Sequence, residues 1–164
     1  METRAELAKL FVNEKGRGAE IGVEYGYFSE IMARDWKGKI LCVDVWNIPH
    51  IYEEAKRRLA TDQFFLMKES SVEAAKLVED ESLDWVYIDG DHSYAGVKAD
   101  YEAWFPKVRK GGIVSGHDYG VNDCIGVKEF LDEFMAANPD IKINFTTGDF
   151  WQGREYQTWW FVKE

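Results

Sequence analysis

The feature that most constrains this chain is its alternation of short β-rich runs with longer stretches whose apolar residues fall at helical spacing. The runs are Ala19-Glu20-Ile21-Gly22, Ile40-Leu41-Cys42-Val43-Asp44, Phe64-Phe65-Leu66-Met67, residues 83–89 and Ile113-Val114-Ser115. Each reads as apolar on both faces, as a strand covered by helices on both sides must be. Between them Phe28, Ile31, Met32 and Trp36 form one helical stripe, Val97, Tyr101, Trp104 and Phe105 a second, and Val127, Phe130, Leu131, Phe134 and Met135 a third. Strands and helices in this order predict right-handed βαβ crossovers and a parallel sheet. After the third stripe the habit changes. Residues 141–146 and 156–162 are both strand-like, separated by a polar turn around Gly148 and Gly153, which predicts a hairpin and an antiparallel strand at the end of the sheet. The expected fold class is therefore α/β: a doubly wound, Rossmann-like sheet, mostly parallel with an antiparallel C-terminal strand, and helices on both faces.

The length of 164 residues fits one domain spanning residues 1–164. Thirty acidic residues against twenty basic ones give a net charge of -10. The basic clusters Lys56-Arg57-Arg58 and Lys107-Val108-Arg109-Lys110 are too short for a nucleic-acid footprint. Nucleic acid is thus not an expected partner. No apolar run approaches a membrane span, so neither is a membrane. Cys42 and Cys124 are the only cysteines, the usage of a reducing compartment, and the expected location is cytoplasmic.

In a doubly wound sheet, ligands bind beyond the carboxyl ends of the strands, and there the chain is polar. The first strand ends in Glu20-Ile21-Gly22-Val23-Glu24-Tyr25-Gly26. Gly22 and Gly26 allow a tight turn and close approach of backbone to ligand. A dinucleotide fingerprint wants glycines at 22, 24 and 27, where this chain has Gly22, Glu24 and Tyr27. NAD is disfavoured, and a carboxylate at Glu24 suits a ligand with positive charge. Asp44, ending the second strand, is placed to accept hydrogen bonds from both hydroxyls of a ribose. Ser70 and Ser71 follow the third strand; one is expected to cap the next helix and the other to reach an adenine edge. The fourth strand gives Asp89-Gly90-Asp91-His92-Ser93-Tyr94 and the fifth Ser115-Gly116-His117-Asp118-Tyr119. Asp89, His92, His117 and Asp118 are expected to reach one ion or one substrate hydroxyl. Tyr25, Trp46, Tyr94 and Tyr119 read either as walls of a ligand site or as rim packing.

With these motifs in hand, the chain resembles the class I methyltransferases that use S-adenosylmethionine. It is most similar to the branch of macrolide-sugar O-methyltransferases and cephalosporin-hydroxylase-like proteins. The resemblance runs from about Glu20 to Glu133, and its most specific parts are Tyr87-Ile88-Asp89-Gly90-Asp91-His92-Ser93-Tyr94 and Lys110-Gly111-Gly112-Ile113-Val114-Ser115-Gly116-His117-Asp118-Tyr119. It implies an S-adenosylmethionine site with Glu20 and Gly22 near the methionine, Asp44 and Val45 at the ribose and Ser71 near the adenine, with Gly26, Ser70 and Asp89 alongside. It also implies O-methylation of a small molecule or sugar hydroxyl, His92 as general base with Asp89, and a divalent cation held by Asp89 and the pair after strand five. In those relatives the pair is acidic, whereas here it is His117-Asp118. Two carboxylates and an imidazole suit manganese or iron better than magnesium. The implied partner is a small-molecule acceptor, and the chain is compatible with a homo-oligomer. A non-catalytic nucleoside-binding module with this fold is the alternative; a dehydrogenase is opposed by Glu24.

Overall fold

A computed structural model describes residues 1–10, 15–147, 150–151 and 154–164. Five strands, β1 (Arg17–Ile21), β2 (Lys39–Asp44), β3 (Phe64–Lys68), β4 (Leu83–Ile88) and β5 (Val108–Tyr119), alternate with four helices. These are α1 (Tyr27–Asp35), α2 (Pro49–Arg58), α3 (Ser71–Ala75) and α4 (Tyr94–Trp104). Then come α5 (Ile125–Ala137), β6 (Asn144–Phe145), β7 (Phe150–Trp151), β8 (Arg154–Glu155) and β9 (Gln157–Val162). The main sheet has the order β3-β2-β1-β4-β5-β9-β6, parallel through β5, with β9 antiparallel to both β5 and β6. The expected fold class is the observed one.

The period-two alternation of each strand divides the core between the two faces of the sheet. Ile40, Cys42, Trp85 and Tyr87 point toward α1, α2 and the 3₁₀ segment Arg4–Leu10, where they join Phe28, Met32, Trp36 and Leu7. Their neighbours Val43, Val86 and Ile88 point to the other face and pack with Ala74, Val97, Trp104, Val127 and Leu131 of α3, α4 and α5. β4 is buried along its whole length, because it lies near the middle of the sheet with helices above and below.

Three details depart from the sequence reading. β3 is not covered on both faces: it is an edge strand with Phe65 56% exposed, and α3, only five residues long, is too short to roof it. The hairpin's second arm is internal. Thr158, Trp159 and Phe161 of β9 are fully buried, so β9 takes the place between β5 and β6 while β6 is left as a two-residue edge. A separate ribbon pairs β7 with β8. The turn glycines Gly148 and Gly153 lie outside the described residues. No helix among the described residues is long and apolar enough to cross a membrane.

Candidate functional site

The carboxyl ends of β1, β2 and β4 and the loop after β3 surround a cavity of about 610 Å³, within the range of small-molecule sites. Its rim begins with the turn after β1. Gly22 has φ 85, and a Cβ there would lie 2.0 Å from the carbonyl oxygen of Asp89. Only glycine lets β1 and β4 come this close at the cavity floor. Gly26 has φ 82 and begins α1, packed against Leu59; it shapes the turn and does not line the cavity. Glu24 and Trp46 also carry positive φ. Both are held there by Asp44, whose Oδ2 accepts from the Glu24 N–H at 2.9 Å and whose Oδ1 accepts from the Trp46 N–H at 2.7 Å. The Trp46 indole N–H in turn donates to the Glu24 carbonyl at 2.8 Å. Asp44 thus builds the ledge at this rim of the cavity, and a carboxylate oxygen that accepts one bond keeps capacity for another.

Gly22, Glu24, Asp44, Val45, Ser70, Ser71, Asp89 and His92 all line the cavity. Ser70 takes the N-cap position of α3 without a side-chain hydrogen bond, so the expected cap is made by backbone alone. Ser71 Oγ accepts from the Trp104 indole at 2.9 Å. Glu20 is elsewhere: it is 2% exposed, hydrogen-bonded by Ser29 on the α1 face of the sheet. Burial pushes its carboxyl up to about 8, which makes it a neutral acid at neutral pH. The four aromatics read as candidate walls do not line the cavity. Trp46 is core, Tyr25 packs on Tyr27, Tyr94 bonds Glu133 and Tyr119 bonds Asp132.

One end of the cavity opens on a cluster of ionisable groups from β4, β5 and their loops. The loop after β4 is wound by its own side chains: Asp91 Oδ1 accepts from the Ser93 N–H at 2.9 Å, and Ser93 Oγ caps α4 by accepting from the Gly96 N–H at 3.1 Å. This presents His92, whose Nε2 lies 3.0 Å from Asp118 Oδ2 and 3.4 Å from Asp89 Oδ1. His117 Nδ1 lies 3.0 Å from Asp118 Oδ1 and 3.8 Å from Asp89 Oδ1. The four residues predicted to converge do so. Hydrogen bonds to Asp118 and then Asp89 raise His92 to about 10, well above the near-neutral value a free imidazole has. Asp118 is 5% exposed with φ 63. Burial would raise its carboxyl, but the hydrogen bonds from His117 and His92 outweigh burial and hold it well below the usual range. Asp89, His117 and Asp118 each offer a donor atom within 4.8 Å of the others, a set that fits a divalent cation.

Four neighbours were not anticipated. Asp100 of α4 is 5% exposed and lines the cavity beside Ser71, and burial lifts its carboxyl to about 6. Its signal was present in the sequence, since it sits three residues after Val97 and four before Trp104, on the apolar stripe itself. Arg4, from the N-terminal 3₁₀ segment, stands 3.9 Å from Asp89 and over the Phe28 ring. Cys124 Sγ lies 3.5 Å from His92 Nδ1. Neither Arg4 nor Cys124 belongs to a motif that spacing reveals. The ring of Tyr156 stacks parallel on His117 at 6.0 Å.

Known proteins resemble this chain in sequence and in fold. Residues 19–119 match the family model described as a methyltransferase domain. An uncharacterized protein, y4gI, of Sinorhizobium fredii is 31% identical over 148 residues, which cover 80% of this chain but 16% of that protein. This chain therefore spans under a fifth of that relative's length. Among solved structures, one described as an rRNA methylase from Clostridium thermocellum superposes with TM-score 0.76 at 16% identity, covering 98% of this chain and 95% of that one. One described as a caffeoyl-CoA O-methyltransferase from Staphylococcus aureus gives 0.72 at 20%, covering 96% and 80%. The O-methyltransferase TomG of Streptomyces achromogenes, solved with S-adenosylmethionine, gives 0.72 at 19%, covering 98% and 78%. The family match takes in both strand-end motifs and more than half of the chain, so the chain belongs to the methyltransferase-domain family and carries its class I fold.

Proposed function

We propose that this chain transfers a methyl group from S-adenosylmethionine to a hydroxyl of a small molecule or sugar, with His92 as the general base. The observation that carries the reading is the continuity of the site: one cavity runs from Asp44 and Ser71 to Asp89 and His92, so a nucleoside held at the first pair has its far end beside the second. Glu24 and Asp44 make the cavity anionic, which favours a sulfonium over a pyrophosphate. When bound, S-adenosylmethionine supplies the electrophilic methyl. The bond from acceptor oxygen to methyl carbon forms as the sulfur–carbon bond breaks, and the hydroxyl proton passes to His92. Much of the rate then comes from holding the two reactants in line.

Asp89, His117 and Asp118 are the residues that would hold a divalent cation, and its chemistry there would be to lower the pKa of the acceptor hydroxyl. The non-catalytic alternative draws on one observation: with its present partners His92 keeps its proton until about pH 10, the wrong form for a base at neutral pH. Turnover decides between the two. Incubation with methyl-labelled S-adenosylmethionine and a panel of sugars, catechols and small acids should label a hydroxyl and produce S-adenosylhomocysteine. Cofactor binding with no transfer, with or without manganese, would favour the binding module.

A further inference from the structure

Two ligand sets overlap beyond β4 and β5, and they differ in softness. Asp89, His117 and Asp118 offer two carboxylates and an imidazole. His92, Asp118 and Cys124 offer a carboxylate, an imidazole and a sulfur, again with one donor atom of each within 4.8 Å of the others. Only Asp118 is common to both. We infer that His92, Asp118 and Cys124 form a second site, one that takes a thiophilic divalent cation of the zinc or cobalt kind.

Three observations point there. The first is distance. A tetrahedral ion with bonds of about 2.0 Å to nitrogen and about 2.3 Å to sulfur holds the two donors roughly 3.5 Å apart, and Cys124 Sγ already stands 3.5 Å from His92 Nδ1. The second is that main-chain packing brings the two residues together. Cys124 ends the 3₁₀ turn Asn122–Cys124 that leads into α5. Two residues on, Gly126 presses against the loop after β4 so closely that a Cβ would lie 2.2 Å from the Tyr94 nitrogen and 2.6 Å from the His92 carbonyl. The backbone that carries the thiol is thereby held against the backbone that carries the imidazole, the support a metal site requires. The third is access. The His92 side chain is 39% exposed while Asp118 is 6% exposed, so an ion and the water that completes its shell reach the set from the imidazole side.

Sulfur sets the preference. Magnesium and manganese favour the oxygen-rich set, and zinc or cobalt favours the set containing the thiol. An ion bound there occupies the ring nitrogen lone pair on which the proposed proton transfer depends. Zinc is then an inhibitor and not a cofactor; that consequence rests on the methyl-transfer reading, whereas the site itself does not.

The test is a titration of the full chain with Co²⁺ alone, followed by its visible ligand-field bands and its near-ultraviolet thiolate-to-cobalt charge-transfer band. Wild type is expected to develop the charge-transfer band. Cys124→Ser and His92→Gln are expected to lose it and His117→Ala to keep it, with circular dichroism showing each variant folded. No such band in wild type, or a band that survives Cys124→Ser, would overturn the site. So would cobalt bound without the band and released by His117→Ala. Binding of S-adenosylhomocysteine, measured separately, reports on the methyl-transfer reading and not on the ion. If turnover is found, stoichiometric zinc should suppress it in wild type and not in Cys124→Ser; equal suppression in both would overturn the inhibitory role.

Discussion

At the scale of single residues, Asp44, Glu20 and His92 each make bonds within the protein in addition to the roles expected of them. Asp44 holds two backbone amides before any ligand arrives. Asp44→Ala should therefore weaken S-adenosylhomocysteine binding by about 1.5–3 kcal/mol in calorimetry and also lower stability by about 1–3 kcal/mol, since the Glu24 and Trp46 N–H groups lose their acceptor. Unchanged affinity would remove the ribose from β2. Glu20 titrates in the interior. Its carboxyl is raised from 4.5 to about 8 by burial, so the folded state keeps a proton that the unfolded chain gives up. Stability should fall as pH rises from about 4.5 to about 8, and Glu20→Gln should flatten that fall in urea titrations across the range. His92 is raised to about 10 by Asp118 and Asp89. Turnover should climb with pH toward that value, and manganese, competing for the same carboxylate oxygens, should move the climb to lower pH. His92→Ala should bind S-adenosylhomocysteine as wild type does yet turn over at least about 100-fold more slowly.

At the scale of elements, the run-and-stripe pattern made β1, β2, β4, β5, α1, α4 and α5 legible, because each buries a face whose period the sequence displays. The same pattern could not show how far α3 extends, since Ser71–Ala75 is too short to display a helical period. It could not place β9 inside the sheet either, because strand order is a matter of which neighbours bury Trp159 and Phe161. Of the site, the strand-end motifs found Asp44, Asp89, His92, His117 and Asp118, which local chain direction brings to one edge. Cys124 was not readable, because it depends on how α5 docks on the loop after β4. That docking rests on Gly126. Gly126→Ala forces a Cβ into the Tyr94 backbone, which cannot yield as a side chain would. It should cost roughly 1–3 kcal/mol of stability by denaturant titration and separate Cys124 from His92.

At the scale of the whole molecule, a net charge of -10 and an acidic cavity favour ligands that bring positive charge. Chelation should accordingly abolish turnover if Asp89, His117 and Asp118 hold a catalytic cation, with manganese restoring it in wild type and not in Asp118→Ala. The central claim is that the cavity spanning β1, β2 and β4 is a nucleoside site for S-adenosylmethionine. Calorimetric titration of the purified chain with S-adenosylhomocysteine, and in parallel with NAD, tests it most directly. Saturable binding of S-adenosylhomocysteine that weakens in Asp44→Ala, with no heat from NAD, is the predicted result. Absence of S-adenosylhomocysteine binding, or NAD binding of equal strength, would contradict it.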